Sequence, residues 1–117
     1  MTVKATREGL VGKRTASGWI IDKNVQFVAL PCVAALYRFV RVSNPVTAKS
    51  CIAIVLDVGP WNEQDRAYVF EGARPAAESG KDERGRLTNC AGIDLGEAVW
   101  SALGMVDNSS VKWDFIG

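Results

Sequence analysis

One almost continuously apolar segment, Cys51–Val58 (CIAIVLDV), constrains the fold more than any other part of the chain. It is rich in the β-branched residues that favour strands, and it offers almost no polar face to solvent. Such a strand must be covered on both sides or lie at the centre of a closed barrel. The segment therefore predicts a strand inside a β-rich core.

The other apolar segments are short, contain Val and Ile, and are separated by Gly, Pro, Asn and Asp, which is typical of a mostly β domain. In Arg38–Val42, polar and apolar residues alternate, as expected of a half-buried strand. Short strands in this number are typical of a small barrel. The predicted strands are Gly9–Gly12, Trp19–Asp22, Val25–Ala29, Arg38–Val42, Cys51–Val58 and Val111–Phe115.

A single amphipathic helix is predicted at Leu95–Leu103, where apolar residues recur at helical spacing. Asp94 stands at the predicted N-cap position, and Glu97 follows three residues later as in a capping box. Gly104 is placed to end the helix in the left-handed conformation. The helix therefore has both a start and a stop signal.

The stretch 62–89 contains eleven charged residues and no sustained period, so we predict a long inserted loop. One short strand is expected within it, at Tyr68–Phe70. A loop of this length in a compact domain is either functional or mobile. The length of the chain, 117 residues, predicts one domain at 1–117 with its barrel core at about 12–115.

Composition excludes several classes of function. The absence of histidine excludes Ser-His-Asp catalysis, and three cysteines without CxxC spacing (Cys32, Cys51 and Cys90) disfavour a zinc knuckle and allow at most one disulfide. The net charge of +1 predicts no nucleic-acid partner. We also expect no membrane span, no signal peptide, no metal and no cofactor.

One segment places a carboxyl group where it could carry chemistry. Asp57 lies at the end of the buried strand, directly before a Gly-Pro turn and Trp61. Apolar surroundings favour a protonated carboxyl, which can act as a general acid, and the indole could stack on a sugar ring. The alternative is that Asp57 only accepts hydrogen bonds from the backbone of the following turn.

Five short motifs follow one another along the chain from about residue 12 to residue 115. They are TASG at 15–18, ALP at 29–31, VRVSNP at 40–45, DVGPW at 57–61 and GIDLGEA at 92–98, followed by Leu103 and Gly104. In this order they resemble the signature of rare-lipoprotein-A-like domains, which are relatives of barwin, the expansin N-terminal domain and family 45 glycoside hydrolases. The resemblance implies a six-stranded double-psi β-barrel with a groove across one face.

The resemblance also implies a partner, namely peptidoglycan or another polysaccharide, and a location in the cell envelope or periplasm. Some members of that family cleave peptidoglycan as lytic transglycosylases. Asp57 matches the aspartate of the family's Asp-Arg-Gly-Pro motif, with Val58 in place of the arginine, and Asp94 matches the aspartate before its short helix. Trp19 stands where active members carry an acidic residue, and Val28–Ala29 replaces the usual Ala-His.

Two hypotheses of function stay open. In the first, the chain is a lytic transglycosylase or glycoside hydrolase with Asp57 as the acid/base and Asp22 as its candidate partner; a transglycosylase can work with one carboxyl because a hydroxyl of the sugar attacks. In the second, it is a non-catalytic module, for example of a phage or secretion system, that binds glycan or protein through the 62–89 loop. The candidate substrate-binding residues are Trp19, Trp61, Ser17 and Asp94.

Overall fold

The computed structural model describes residues 1–117, which form six strands and two short α-helices. The strands are β1 (Thr2–Arg7), β2 (Phe27–Leu30), β3 (Phe39–Asn44), β4 (Lys49–Val58), β5 (Ile93–Leu95) and β6 (Ser109–Phe115). The helices are α1 (Arg66–Glu71) and α2 (Glu97–Ala102), and 3-10 turns cover Val33–Ala35 and Ala76–Ser79.

The six strands close into a barrel in the order β1-β5-β2-β4-β3-β6, so the sheet has no free edge. The pairs β1–β5 and β2–β4 are parallel, and the other four pairs are antiparallel. Parallel neighbours require connections that cross the end of the barrel. The predicted closed six-stranded barrel with few helices is confirmed.

The apolar strand β4 lies at the centre, as its composition requires. It pairs with β2 on one side and β3 on the other, and the side chains of Ala53 and Val55 are buried inside the barrel. A cluster of 20 buried residues fills this interior. A smaller cluster formed by Ile21, Phe27 and Leu56 lies outside it.

Two of the six predicted barrel strands were wrong and two strands were missed. Gly9–Gly12 forms a turn, and Trp19–Asp22 contributes only an isolated bridge, between Arg14 and Ile20. The missed strand β1 buries just two apolar side chains, Val3 and Ala5, and β5 has three residues, so both give a weak periodic signal. Because β1 closes the barrel, the core begins at Thr2 rather than at about residue 12.

The predicted helix Leu95–Leu103 is shorter than expected, and Asp94 is not its N-cap. Leu95 lies in β5, Gly96 is the N-cap, and the helix covers Glu97–Ala102. Only glycine fits at position 96, because a Cβ there would lie 2.3 Å from the ring of Phe27. Glu97 makes no capping box, since its carboxylate accepts hydrogen bonds from the Arg7 guanidinium.

The 62–89 stretch is more structured than a loop. It contains α1, so the strand predicted at Tyr68–Phe70 is in fact helical. Tyr68 is buried in the main core; its hydroxyl donates to the Gly92 carbonyl at 2.9 Å and accepts from the Trp113 indole at 2.7 Å. These contacts anchor the insertion to the barrel.

All three cysteines are unpaired in the structure. No helix combines the length and the apolar character needed to cross a membrane.

Candidate functional site

A row of side chains crosses four neighbouring strands on one face of the sheet. Ala29 of β2 pairs with Asp57 of β4 on one side and with Asp94 of β5 on the other, and Asp94 pairs in turn with Thr6 of β1. Residues in register on adjacent strands share a face of the sheet. The small Ala29 therefore separates two carboxyls whose Cα atoms are two strand spacings, about 10 Å, apart.

A β-bulge brings Asp57 into this row. Val28 pairs with Val55 while Ala29 pairs with Asp57, so Leu56 is an extra residue in β4. Without the bulge, Asp57 would pair with Leu30 and share its buried face. The bulge therefore turns a carboxyl out of the core and toward Asp94.

Glu8 supplies a third carboxyl, which sequence analysis missed. Its backbone N–H donates to the Leu95 carbonyl at 2.8 Å, which extends the pairing of β1 with β5 by one residue beyond the strand. Burial, which is the largest cause, a hydrogen bond to Asp57 and the charges of Asp57 and Asp94 together raise the pKa of Glu8 from 4.5 to about 9. Glu8 is therefore protonated at neutral pH.

Hydrogen bonding distinguishes the two neighbouring carboxyls. Oε2 of Glu8 is buried and has no hydrogen-bond partner, whereas Oδ1 of Asp57 accepts the backbone N–H of Ala16 at 2.9 Å and of Val58 at 2.8 Å. A protonated carboxyl carries its own donor, and Asp57 is the neighbouring acceptor group. Glu8 thus holds a proton beside Asp57.

Asp57 accepts the backbone hydrogen bonds that the structural alternative predicts, and its role as a general acid stays a prediction. One of its two backbone donors is the next residue, Val58, as the structural interpretation predicts. The carboxyl nevertheless stays half-buried rather than buried, and it contacts a protonated acid. Its backbone bonds orient it without removing it from the surface.

Asp94 is a site residue rather than a helix cap. The hydroxyl of Thr6 donates to its Oδ1. Burial, which is the largest cause, and the charge of Asp57 raise the pKa of Asp94 to about 6, although the hydrogen bond from Thr6 lowers it. Gly59 lies above the carboxyl, where a Cβ would be 3.8 Å from Oδ2, so the turn after β4 approaches Asp94 closely.

A groove of about 440 Å³ extends from Asp94 and Thr6 toward the insertion. Only two of its twelve lining residues are hydrophobic. Trp61 lies in its wall with a left-handed backbone (φ 71°) after a cis Gly59–Pro60 peptide bond. The Trp61 indole N–H donates to Oδ1 of Asn89 at 2.8 Å. The ring is therefore held in one orientation beside the groove.

The opposite wall is a tight hairpin of the insertion. The side chain of Asp82 is fully buried and accepts the backbone N–H groups of Arg84 and Arg86 and the guanidinium Nε of Arg86. Burial favours a higher pKa for Asp82, but these donors outweigh it and lower the pKa below its ordinary value. The ionised Asp82 thus fixes the hairpin that carries both arginines into the groove.

The other predicted site residues lie elsewhere. Trp19 packs edge-on against Phe27 with ring centroids 5.0 Å apart, as part of the outer apolar cluster. Asp22 accepts the backbone N–H of Asn24 in its own exposed turn. Ser17 lies next to Ala16, and its hydroxyl shares a hydrogen bond with that of Thr15 at 2.8 Å. The structure thus brings together Asp57, Asp94 and Trp61.

Sequence analysis missed Glu8 because this residue directly follows β1, a strand with only two buried apolar side chains. The alternation of Val3 and Ala5 with polar residues is the one feature that indicates β1 and places Glu8 at its end.

No group of three or more Cys, Asp or Glu side chains in the structure is arranged to hold a metal ion. The site therefore offers carboxyl chemistry and hydrogen bonding.

Fold and site together define a small six-stranded closed-barrel domain with a polar groove and three neighbouring carboxyls, of which Asp94 lines the groove. The chain belongs to the family described as "Domain of unknown function (DUF8814)", whose model matches residues 1–114. No curated protein matches the chain.

Two solved structures resemble the chain over nearly its full length. "Streptomyces papain inhibitor (SPI)" is 20% identical with a TM-score of 0.51, over 97% of this chain and 92% of that one. "Crystal structure of cerato-platanin 3 from M. perniciosa (MpCP3)" is 8% identical with a TM-score of 0.58, over 100% and 95%. At these identities the likeness supports the barrel fold, and the finer resemblance to rare-lipoprotein-A-like domains stays a prediction.

Proposed function

We propose that the groove binds a glycan strand and that Glu8 and Asp57 act on its glycosidic bond as an acid/base pair. The proposal is supported by a Glu8 carboxyl that burial and Asp57 keep protonated, next to a polar groove whose lining includes Val58, which follows Asp57, and Asp94. Glycoside cleavage needs a carboxyl that is still protonated at neutral pH, and burial beside a second carboxyl provides one. The proposed substrate is the peptidoglycan of a bacterial cell envelope.

The reaction follows from the positions of the two groups. The pair gives its proton to the glycosidic oxygen as the bond from that oxygen to the sugar's C1 breaks, and positive charge develops on the ring. The ionised pair and the nearby Asp94 stabilise that charge. A hydroxyl of the same sugar then attacks C1 and returns its proton to the pair, so no water is consumed and the product carries an anhydro sugar.

Trp61 and the insertion contribute binding in this proposal. An indole fixed by Asn89 offers a flat apolar face against which a sugar ring can pack. The hairpin arginines, Asn89 and the backbone of the 59–61 turn offer donors and acceptors to sugar hydroxyls. A groove with few apolar lining residues suits a hydroxylated ligand better than a lipid or an apolar peptide.

Digestion of purified peptidoglycan tests the proposal. Wild type is expected to release soluble fragments with anhydro ends, identified by mass, whereas Glu8→Gln and Asp57→Asn keep wall binding in a pelleting assay and release none. Asp22→Asn, in an exposed turn, is the matched control and is expected to retain activity. Wall binding without any product would contradict catalysis, and absence of both would refute the glycan groove.

A second candidate function, protein binding, rests on a different observation. The barrel resembles the protein named Streptomyces papain inhibitor over 97% of this chain, and the insertion exposes Leu87 beside the hairpin. An inhibitory module would bind a protein through this surface and leave the carboxyl pair without a catalytic role. Inhibition of papain by both the wild type and Asp57→Asn would favour this function over the first.

A further inference from the structure

We propose that Tyr37 forms a second sugar-binding position on the opposite side of Asp57 from Trp61, so that the site takes a strand of several sugars. This inference rests on the proposed glycan-binding function and extends it to the length of the ligand. Tyr37 does not line the groove beside Trp61. It was not among the residues that the sequence singled out.

Contacts place Tyr37 beyond the carboxyl pair. Its backbone N–H donates to the Val55 carbonyl at 2.8 Å, and its hydroxyl lies 3.4 Å from the Ser17 carbonyl. The residue before Ser17 is Ala16, whose N–H donates to Asp57. Tyr37 is therefore linked to Asp57 through the 15–18 turn.

The positions of Tyr37 and Trp61 relative to Asp57 follow from the residue order along β4 and the turn after it. Val55, which anchors Tyr37, precedes Asp57 by two residues, and Trp61 follows Asp57 by four. A strand rises about 3.3 Å per residue, so these two attachment points lie on opposite sides of the carboxyl. Tyr37 is thus attached before Asp57 and Trp61 after it in the direction of β4.

The conformation of Tyr37 shows that the ring is not held there by the core. The side chain is 60% exposed, and the backbone has φ 70°, in the left-handed region that disfavours a bulky side chain. Trp61 is the only other aromatic residue with such a backbone; the remaining non-glycine cases are Ala48 and Cys90. Strain of this kind is tolerated at binding and catalytic sites.

An exposed tyrosine ring suits a sugar. Its face can cover the apolar C–H side of a pyranose, and its hydroxyl can exchange hydrogen bonds with ring substituents. A ligand that spans both Tyr37 and Trp61 must cross Asp57 between them, which places an interior bond of the strand at the acid. The geometry thus favours cleavage within a glycan strand over removal of a terminal sugar.

Binding of chitin oligosaccharides of two to six sugars, measured by titration calorimetry, tests the inference. Tyr37→Gly is expected to bind the six-sugar ligand about five- to tenfold more weakly than wild type, with little change for the disaccharide, which the Trp61 side alone can hold. Tyr37→Phe is expected to retain most of the affinity. Ala48→Gly relieves the same backbone strain in a turn between β3 and β4 and is expected to bind as wild type does.

Thermal unfolding of the same proteins separates folding from binding. Tyr37→Gly is expected to unfold at the wild-type temperature or above, because glycine accepts the left-handed backbone at lower cost. A loss of affinity equal for short and long ligands, or no loss at all, would overturn the role of Tyr37 while leaving the groove in place. Absence of binding by wild type to both the oligosaccharides and the wall would overturn the proposed function as well.

Discussion

Replacing Glu8 by glutamine is expected to stabilise the protein at neutral pH while removing glycan cleavage. Folding places the Glu8 carboxyl where burial and two acidic neighbours raise its pKa to about 9, from 4.5 in the unfolded chain. Above pH 4.5 the unfolded chain loses this proton and the folded chain keeps it. The contribution of Glu8 to stability is therefore complete below pH 4.5 and is lost progressively as the pH rises toward 9.

The magnitude follows from the linkage between proton uptake and folding. Each pH unit above 4.5 costs about 1.4 kcal/mol, which reaches about 3 kcal/mol at pH 7. Because the residue is only half-buried, solvent screening reduces the expected effect to about 2 kcal/mol. Glutamine keeps a donor for Asp57 and takes up no proton, so Glu8→Gln escapes this cost.

Urea unfolding of wild type and Glu8→Gln, at half-unit steps from pH 4 to pH 8, measures the effect as a difference in the free energy of unfolding. The difference is expected to shift in favour of the variant by about 2 kcal/mol between pH 4 and pH 7. Asp94 titrates in both proteins, and up to pH 8 its neighbour at position 8 is mostly uncharged in the folded state of each, so the contribution of Asp94 largely cancels. A difference that stays constant with pH would refute the raised pKa of Glu8.

Three further predictions concern the scaffold. Tyr68→Phe leaves the buried Trp113 indole N–H without its acceptor and is expected to lower the free energy of unfolding by about 2 kcal/mol in urea titrations; no change would show that water replaces the hydroxyl. Gly96→Ala places a Cβ 2.3 Å from the Phe27 ring and is expected to cost about 3 kcal/mol, measured as a fall in melting temperature. Asp82→Asn weakens the ionic contacts that fix the hairpin, so amide hydrogen exchange at 82–87 should accelerate while the barrel stays protected; unchanged exchange would contradict that role.

Some features could be predicted from single segments of sequence. The apolar composition of 51–58 predicts a strand with both faces covered, and β4 lies at the centre of the closed barrel. The DVGPW motif placed Asp57 at the end of that strand, where the structure has it. These predictions succeeded because the pattern of apolar residues within one segment reflects which of its side chains are buried.

Other features could not be read from any one segment. Helix α1 has only six residues, so its caps Asp65 and Gly72 mark it weakly in the sequence, and Tyr68 anchors it in a distant core. Asp94 has the spacing of a helix cap, yet β5 takes up residues 93–95 by pairing with β1 and β2. Tertiary pairing overrides a local capping signal where the same residues complete a barrel.

The sequence by itself thus determined the class of fold, the central strand and two carboxyls of the candidate site, Asp57 and Asp94. Only the tertiary structure decided that Glu8, Asp57 and Asp94 meet. Asp57 and Asp94 belong to two strands and Glu8 directly follows a third, and one extra residue in β4 sets whether Asp57 faces the core or its partners. Because side chains alternate between the faces of a strand, such a meeting depends on register, which single segments do not encode.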